Sequence, residues 1–263
     1  IRNRHWPVAC IHLTTLRTPY PNKPYFYKTQ LVGYDHEPIF ACGSMLGLGE
    51  VNGMLALLDE IEVLGLDAMS AGVSLAWATE ALERGLITLA DTAGVALAFG
   101  AAEGYIAAVN RIVSQPTALY RALARGVDHA AAQCGGEDAA LAFGGNEMPG
   151  YHAGPGCHAG WLAGARHSHL DNAGYSIDQK IAQAGTTLSP VDLAGQLLAE
   201  ERWRQVLTSL VICLFARNVY DTDTVLAALR AVGRPYSAEA LDLIGIETLR
   251  RKFAFTAVAY THL

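Results

Sequence analysis

Charge is scarce in this 263-residue chain: Asp, Glu, Lys and Arg together supply 17 % of it, against roughly 25 % in an ordinary soluble domain. Hydrophobic residues make up 51 %, which favours a helical body with much buried surface and a face that expects a partner. The formal charge is -6 and the pI near 5.8. No basic stripe offers the electrostatic footprint that nucleic acid requires. Long apolar runs are missing too, and the best candidate, Val206 to Phe215, is too short to cross a bilayer. The five cysteines, Cys10, Cys42, Cys134, Cys157 and Cys213, are odd in number and widely spaced. That argues against a disulfide framework and for a reducing, cytoplasmic setting. The chain opens on Ile1 without a signal-peptide pattern, as expected of a fragment or a processed chain. It contains no internal repeat and no low-complexity tract.

What is present reads as an all-α, multihelical protein: two packed helical domains, residues 1–115 and 116–263, with a long irregular catalytic loop. Prolines at 7, 19, 21, 24 and 38 predict extended loop with short strands at most over residues 1–43. From Glu50 the spacing turns helical. Leu55, Leu58, Ile61 and Leu64 make one face, Gly65 is placed to end it in the left-handed conformation, and Asp67 is a natural N-cap for the next helix, 68–84. Further helices are expected over 101–114, 117–133, 190–216, 222–232 and 237–252, with Ser189-Pro190 and Asp221 or Asp223 as start signals.

Two segments carry chemistry. In EMPGYHAGPGCHAGWLAGARHSHLDNAGY, residues 147–175, four histidines, one cysteine and six glycines crowd into an otherwise Ala/Leu-rich chain. Glycine lets backbone approach a ligand closely, and imidazole or thiolate binds metals or moves protons near neutral pH. The plainer reading is a polar surface loop. In LGLDAMSAG, residues 64–72, the free N–H groups at 68–70 form a candidate anion site. Glu62 and Asp67 flank this turn, placed to accept hydrogen bonds from an amino-pyrimidine ring. The plainer reading is an ordinary helix-glycine-helix corner. His167 and His169 with Asp171 also read as a zinc pair, although nothing suggests the barrel that usually carries such sites.

Residues 37–88, from EPIFACGSMLGLGEVNG to ATEALERGLIT, resemble the second domain of the tungsten-containing aldehyde ferredoxin oxidoreductase family. Later blocks keep the family's order. EMPGYHAGPG at 147–156 is similar to its Glu-x-Pro-x-Tyr segment, ARHSHLD at 165–171 to its histidine segment, and LTSLVICLF at 207–215 to the motif that supplies a cluster cysteine. The likeness runs from about residue 5 to 256. RHWPVACIHL, PYFYKTQLVGYDHEP and GARHSHLDNAGYS look closer to a branch that includes the tungsten subunit of benzoyl-CoA reductases.

The resemblance implies an oxidoreductase that holds a tungsten or molybdenum bis-pyranopterin, with Glu37 and His169 as active-site residues. Such groups suit aldehyde oxidation, in which water adds to a carbonyl and a proton leaves. It implies pterin contacts at Glu62, Gly65, Leu66 and Asp67, Glu62 standing where the family has Asp. Near the C-terminus Thr208 and Val211 replace the family's Asp and Gly. A [4Fe-4S] cluster is implied at Cys10 and Cys213, but Asn3 and Trp6 occupy the other two positions, and neither side chain can replace a thiolate. The implied partners are ferredoxin or another electron-transfer subunit, an amino-terminal pterin-covering domain, a small aldehyde or aromatic substrate, and a second copy in a homodimer. Alone, the chain offers half a cofactor cradle and is expected to be inactive; a cofactor-free scaffold is the competing reading.

Overall fold

The computed structural model describes residues 12–170, 174–216 and 219–260, so Asn3, Trp6, Cys10 and Asp171 lie outside it. Eleven α-helices and two small two-stranded sheets appear among the described residues, the all-α, multihelical class expected. The chain divides into two compact units, Ile1–Gly150 and Tyr151–Leu263. Position 115, where the sequence suggests a division, lies inside the first unit.

The first unit opens with a hairpin. Strands β1 (His12–Tyr20) and β2 (Lys23–Tyr34) are antiparallel, pairing Leu16 with Gln30 and Thr14 with Val32. This corrects the expectation of short strands at most: Pro19, Pro21 and Pro24 lie at the turn end, and Leu16 and Val32 turn inward onto the core, the half-buried alternation that sustains a strand. A short helix, α1 (His36–Ile39), runs into a π-helical turn, Phe40–Ser44, and then α2 (Val51–Leu64) and α3 (Ala68–Glu83) follow. Gly65 ends α2 at φ 69°, ψ 29°, the left-handed cap its position predicts. The Asp67 carboxylate starts α3 by accepting the Ser70 N–H at 2.7 Å. Gly72 lies so close to the π-turn that a Cβ there would stand 2.7 Å from the Ala41 Cβ. Helix α4 (Ala102–Ser114) ends at Gln115 in the left-handed region. The segment expected as one helix over 117–133 is two, α5 (Ala118–Leu123) and α6 (Val127–Cys134). The reason is Gly126, whose φ of 99° is incompatible with a continuing helix. The core gathers Leu57, Leu58, Ile61, Leu75, Trp77, Tyr105 and Tyr120, all nearly inaccessible. The two tyrosine hydroxyls find partners there, Tyr105 with Thr79 Oγ1 and Tyr120 with the Thr92 carbonyl, each at 3.1 Å. Strands β3 (Ala142–Phe143) and β4 (Asn146–Glu147) close the unit.

The second unit contains α7 (Pro155–Ala163), α8 (Gly174–Ala184), α9 (Pro190–Ser209), α10 (Thr222–Ala231) and α11 (Ala238–Tyr260). The long irregular loop, expected over residues 144–177, is therefore not irregular throughout, because Pro155 starts a helix at its first position. Helix α9 stops at Ser209 rather than 216: Val211 takes φ 58°, and the Ile212 N–H turns back to the Leu207 carbonyl at 2.9 Å, a Schellman-type closure. Val206, Leu207, Val225 and Leu241 form a small core. Among the described residues no single helix is long and apolar enough to cross a membrane; α2 and α3 pass that test only together, bent by 118° at the Gly65 corner.

Candidate functional site

The α2–α3 corner borders a cavity of about 580 Å3, with Leu66, Asp67, Ser70, Gln115, Arg125 and Glu147 in its wall. Its position follows from local sequence: Gly65 turns the chain, Leu66 tucks in, and Asp67 must lie at the head of α3 to cap it. The anion site anticipated at N–H groups 68–70 is corrected by the same contact. The chain's own Asp67 carboxylate takes the Ser70 N–H, as an N-cap does. Glu62 and Gly65 are exposed, and neither belongs to the cavity wall.

Glu147 is the residue that sequence reasoning passed over. It is 8 % exposed, accepting the Ser70 hydroxyl at 2.7 Å through one oxygen and the Val127 N–H at 3.1 Å through the other. It thereby joins the head of α3 to the head of α6. The sequence marked it only as the first letter of a family-like segment; an acidic residue in a two-residue strand gives no periodic signal. Cys42, beside the same corner, is fully buried with its thiol directed at the Ala68 carbonyl at 3.6 Å. Burial, reinforced by the Asp67 charge, pushes that thiol up to about 12, so it stays protonated and unreactive.

Glu37 sits half-buried in α1 of the first unit. Loss of hydration, the Glu37 charge and a hydrogen bond to Glu37 raise the Asp35 carboxyl above its ordinary 3.8, against the opposing pull of His12 and His36.

His169 belongs to the second unit. Its ring stands 4.9 Å from that of Tyr151, which stacks on Tyr175 at 4.7 Å, and its carbonyl accepts Arg204 Nη1 at 3.0 Å. His167 has a different role: at φ 53° its Nδ1 faces the Trp161 carbonyl at 2.7 Å. A carbonyl only accepts, so that nitrogen carries the proton. His152 and His158 lie 5.3 Å apart, both edge-on to Trp161, and burial followed by the His158 charge lowers His152.

Three glycines of this segment, Gly154, Gly156 and Gly174, make room for the chain itself rather than for a ligand. A Cβ on Gly154 or Gly156 would come within 2.9 or 2.8 Å of the Asp178 carboxylate, and one on Gly174 within 2.6 Å of Cys157 Cα. Asp178, 5 % exposed, accepts the N–H groups of Gly156 and Cys157 at 2.9 and 2.7 Å. The glycines seat an internal carboxylate at the head of α7. Burial, together with Asp178, pushes the Cys157 thiol up to about 11.

A family model described as "Aldehyde ferredoxin oxidoreductase, domains 2 & 3" matches residues 5–260. The chain belongs to that family. No match was found among curated proteins.

The residues of this family member suit one implied cofactor better than the other. A pterin is a flat, hydrogen-bonding heterocycle on a phosphate arm, and the cavity by Asp67 offers a carboxylate, a hydroxyl, a carboxamide and the Arg125 cation. The [4Fe-4S] cluster does not fit the chain as written. Four irons call for four thiolates, whereas the positions that the resemblance implies hold Asn3, Trp6, Cys10 and Cys213. Cys213 is a free, half-buried cysteine, and among the described residues no three His, Cys, Asp or Glu side chains converge as metal ligands.

Proposed function

We propose that the chain is the pterin-binding and catalytic part of an aldehyde-oxidising tungsten or molybdenum oxidoreductase that works in the cytoplasm. The observation that carries this reading is the cavity at the Gly65 corner, with Asp67 at its edge, in a chain matched by the family over residues 5–260. Asp67, Ser70, Gln115 and Arg125 would hold the pterin, the carboxylate accepting from amino and ring N–H groups and the guanidinium meeting phosphate. When bound, the cofactor supplies the two-electron chemistry.

The protein's own groups manage protons. Glu37 and His169 are the acid–base groups of this reading, each contributing roughly 10² to 10⁴-fold where it takes up or gives a proton. Electrons leave for ferredoxin or a dedicated electron-transfer subunit.

The test is metal and pterin analysis of the protein expressed in a host that makes the cofactor. Tungsten or molybdenum with pterin fluorescence is expected in the parent and reduced in Asp67→Ala. A folded parent with neither would overturn the proposal. It would favour the second reading, a cofactor-free scaffold, for which the missing thiolates at Asn3 and Trp6 speak; under that reading cysteines restored at both positions produce no cluster absorbance.

A further inference from the structure

The segment from Trp161 to Leu170 is mostly irregular, so its carbonyls find partners on side chains. His167 Nδ1 meets the Trp161 carbonyl at 2.7 Å, the Thr256 hydroxyl of α11 donates to the Ala165 carbonyl at 2.8 Å, and Arg204 of α9 donates through Nη1 to the carbonyls of His169 and Leu170 at 3.0 and 3.2 Å. Arg204 is 2 % exposed, and its Nε is tethered to Glu200 at 3.3 Å.

Burying a guanidinium is costly, and a surface turn could satisfy two adjacent carbonyls with water. A buried cation spent on them therefore acts on where that backbone lies. Only a planar fork reaches two successive carbonyls through one nitrogen while another holds a carboxylate, and the point charge of lysine does not replace it. The His169 ring has a contact of its own, with Tyr151, 4.9 Å away. Backbone and ring thus have separate partners, Arg204 in α9 and Tyr151 in the segment before α7.

We propose that Arg204 is a positioning residue that sets the place of the His169 imidazole. The inference rests on the role given to His169 above. Its test reads His169 directly, in the full chain with 13C-labelled histidine, the Cε1–H signal being assigned by its loss in His169→Gln. In Arg204→Lys that signal is expected to move or broaden while those of His152 and His158 stay, and ethylguanidinium added to Arg204→Ala should return it to the parent position. Should Arg204→Ala fail to fold, Glu200→Gln untethers the guanidinium while keeping it, and the same selective movement of the His169 signal is expected. An unmoved His169 signal in a folded Arg204→Lys overturns the inference.

In protein carrying its cofactor, Arg204→Lys should lower kcat for an aldehyde roughly ten- to a hundredfold, as displacements of about 1 Å do. Adding it to His169→Gln should cost nothing further, and additive losses would show a merely structural arginine. If His169→Gln itself leaves turnover intact, the catalytic role of His169 falls while the signal shift still judges Arg204.

Discussion

The Ser70 hydroxyl donates to the Glu147 carboxylate at 2.7 Å across 77 residues of sequence, tying the helix that begins at the cavity to the strand that closes the first unit. Because the second oxygen of Glu147 holds the Val127 N–H, one buried side chain satisfies donors at two helix heads. Glu147→Ala should therefore lower unfolding free energy by about 2 kcal/mol, the cost of leaving buried donors unpaired. Glu147→Gln, which keeps an acceptor, should lose about half of that. Denaturant titration measures both; an alanine variant as stable as the parent contradicts the linkage.

Val211 is 92 % exposed yet sits at φ 58°, where a β-branched side chain is strained and glycine is not. Val211→Gly should raise stability by about 1 kcal/mol, the relief of left-handed strain exceeding the entropy glycine adds to the unfolded chain. A thermal melt that fails to rise would show that α9 ends in some other way.

Gly72 makes the opposite case. Its absent side chain lets α3 lie against Ala41 of the π-helical turn, so Gly72→Ala, favourable by helix propensity, should cost about 1–3 kcal/mol through overpacking. Equal or greater stability on chemical unfolding would remove the close approach from the description of the core.

Asp35 gives a pH dependence with a definite sign. Its carboxyl is raised in the folded chain above the ordinary 3.8, so the native state binds this proton more tightly than the unfolded one. The associated stability is full below the unfolded value and declines as pH rises through the folded one. Asp35→Asn should flatten that decline and be neutral or stabilising at pH 7. Melting temperatures from pH 4 to 7 that run parallel in parent and variant would refute it.

The fold was legible where the residue decides the backbone locally. Asp67, Ser189 and Asp221 cap the helices they were expected to start, and Gly65 ends α2 as its position predicts. What failed depended on partners distant in sequence. The hairpin is set by Leu16 and Val32 meeting the core, the end of α9 by a valine in a conformation ordinary for glycine, and the role of Glu147 by Ser70 and Val127. The site was legible as segments rather than as contacts. His169 was singled out as an active-site residue by resemblance and Asp67 by its place at the glycine corner, whereas Arg204 and Asp178 stand in helices without distinguishing pattern, their contacts visible only in the structure.

Asp178 has a consequence for selectivity. With its carboxylate already seated on the Gly156 and Cys157 amides, the positive pole of α7 is spent inside the protein. A carboxylate-bearing or phosphorylated compound therefore gains no attraction from the head of α7.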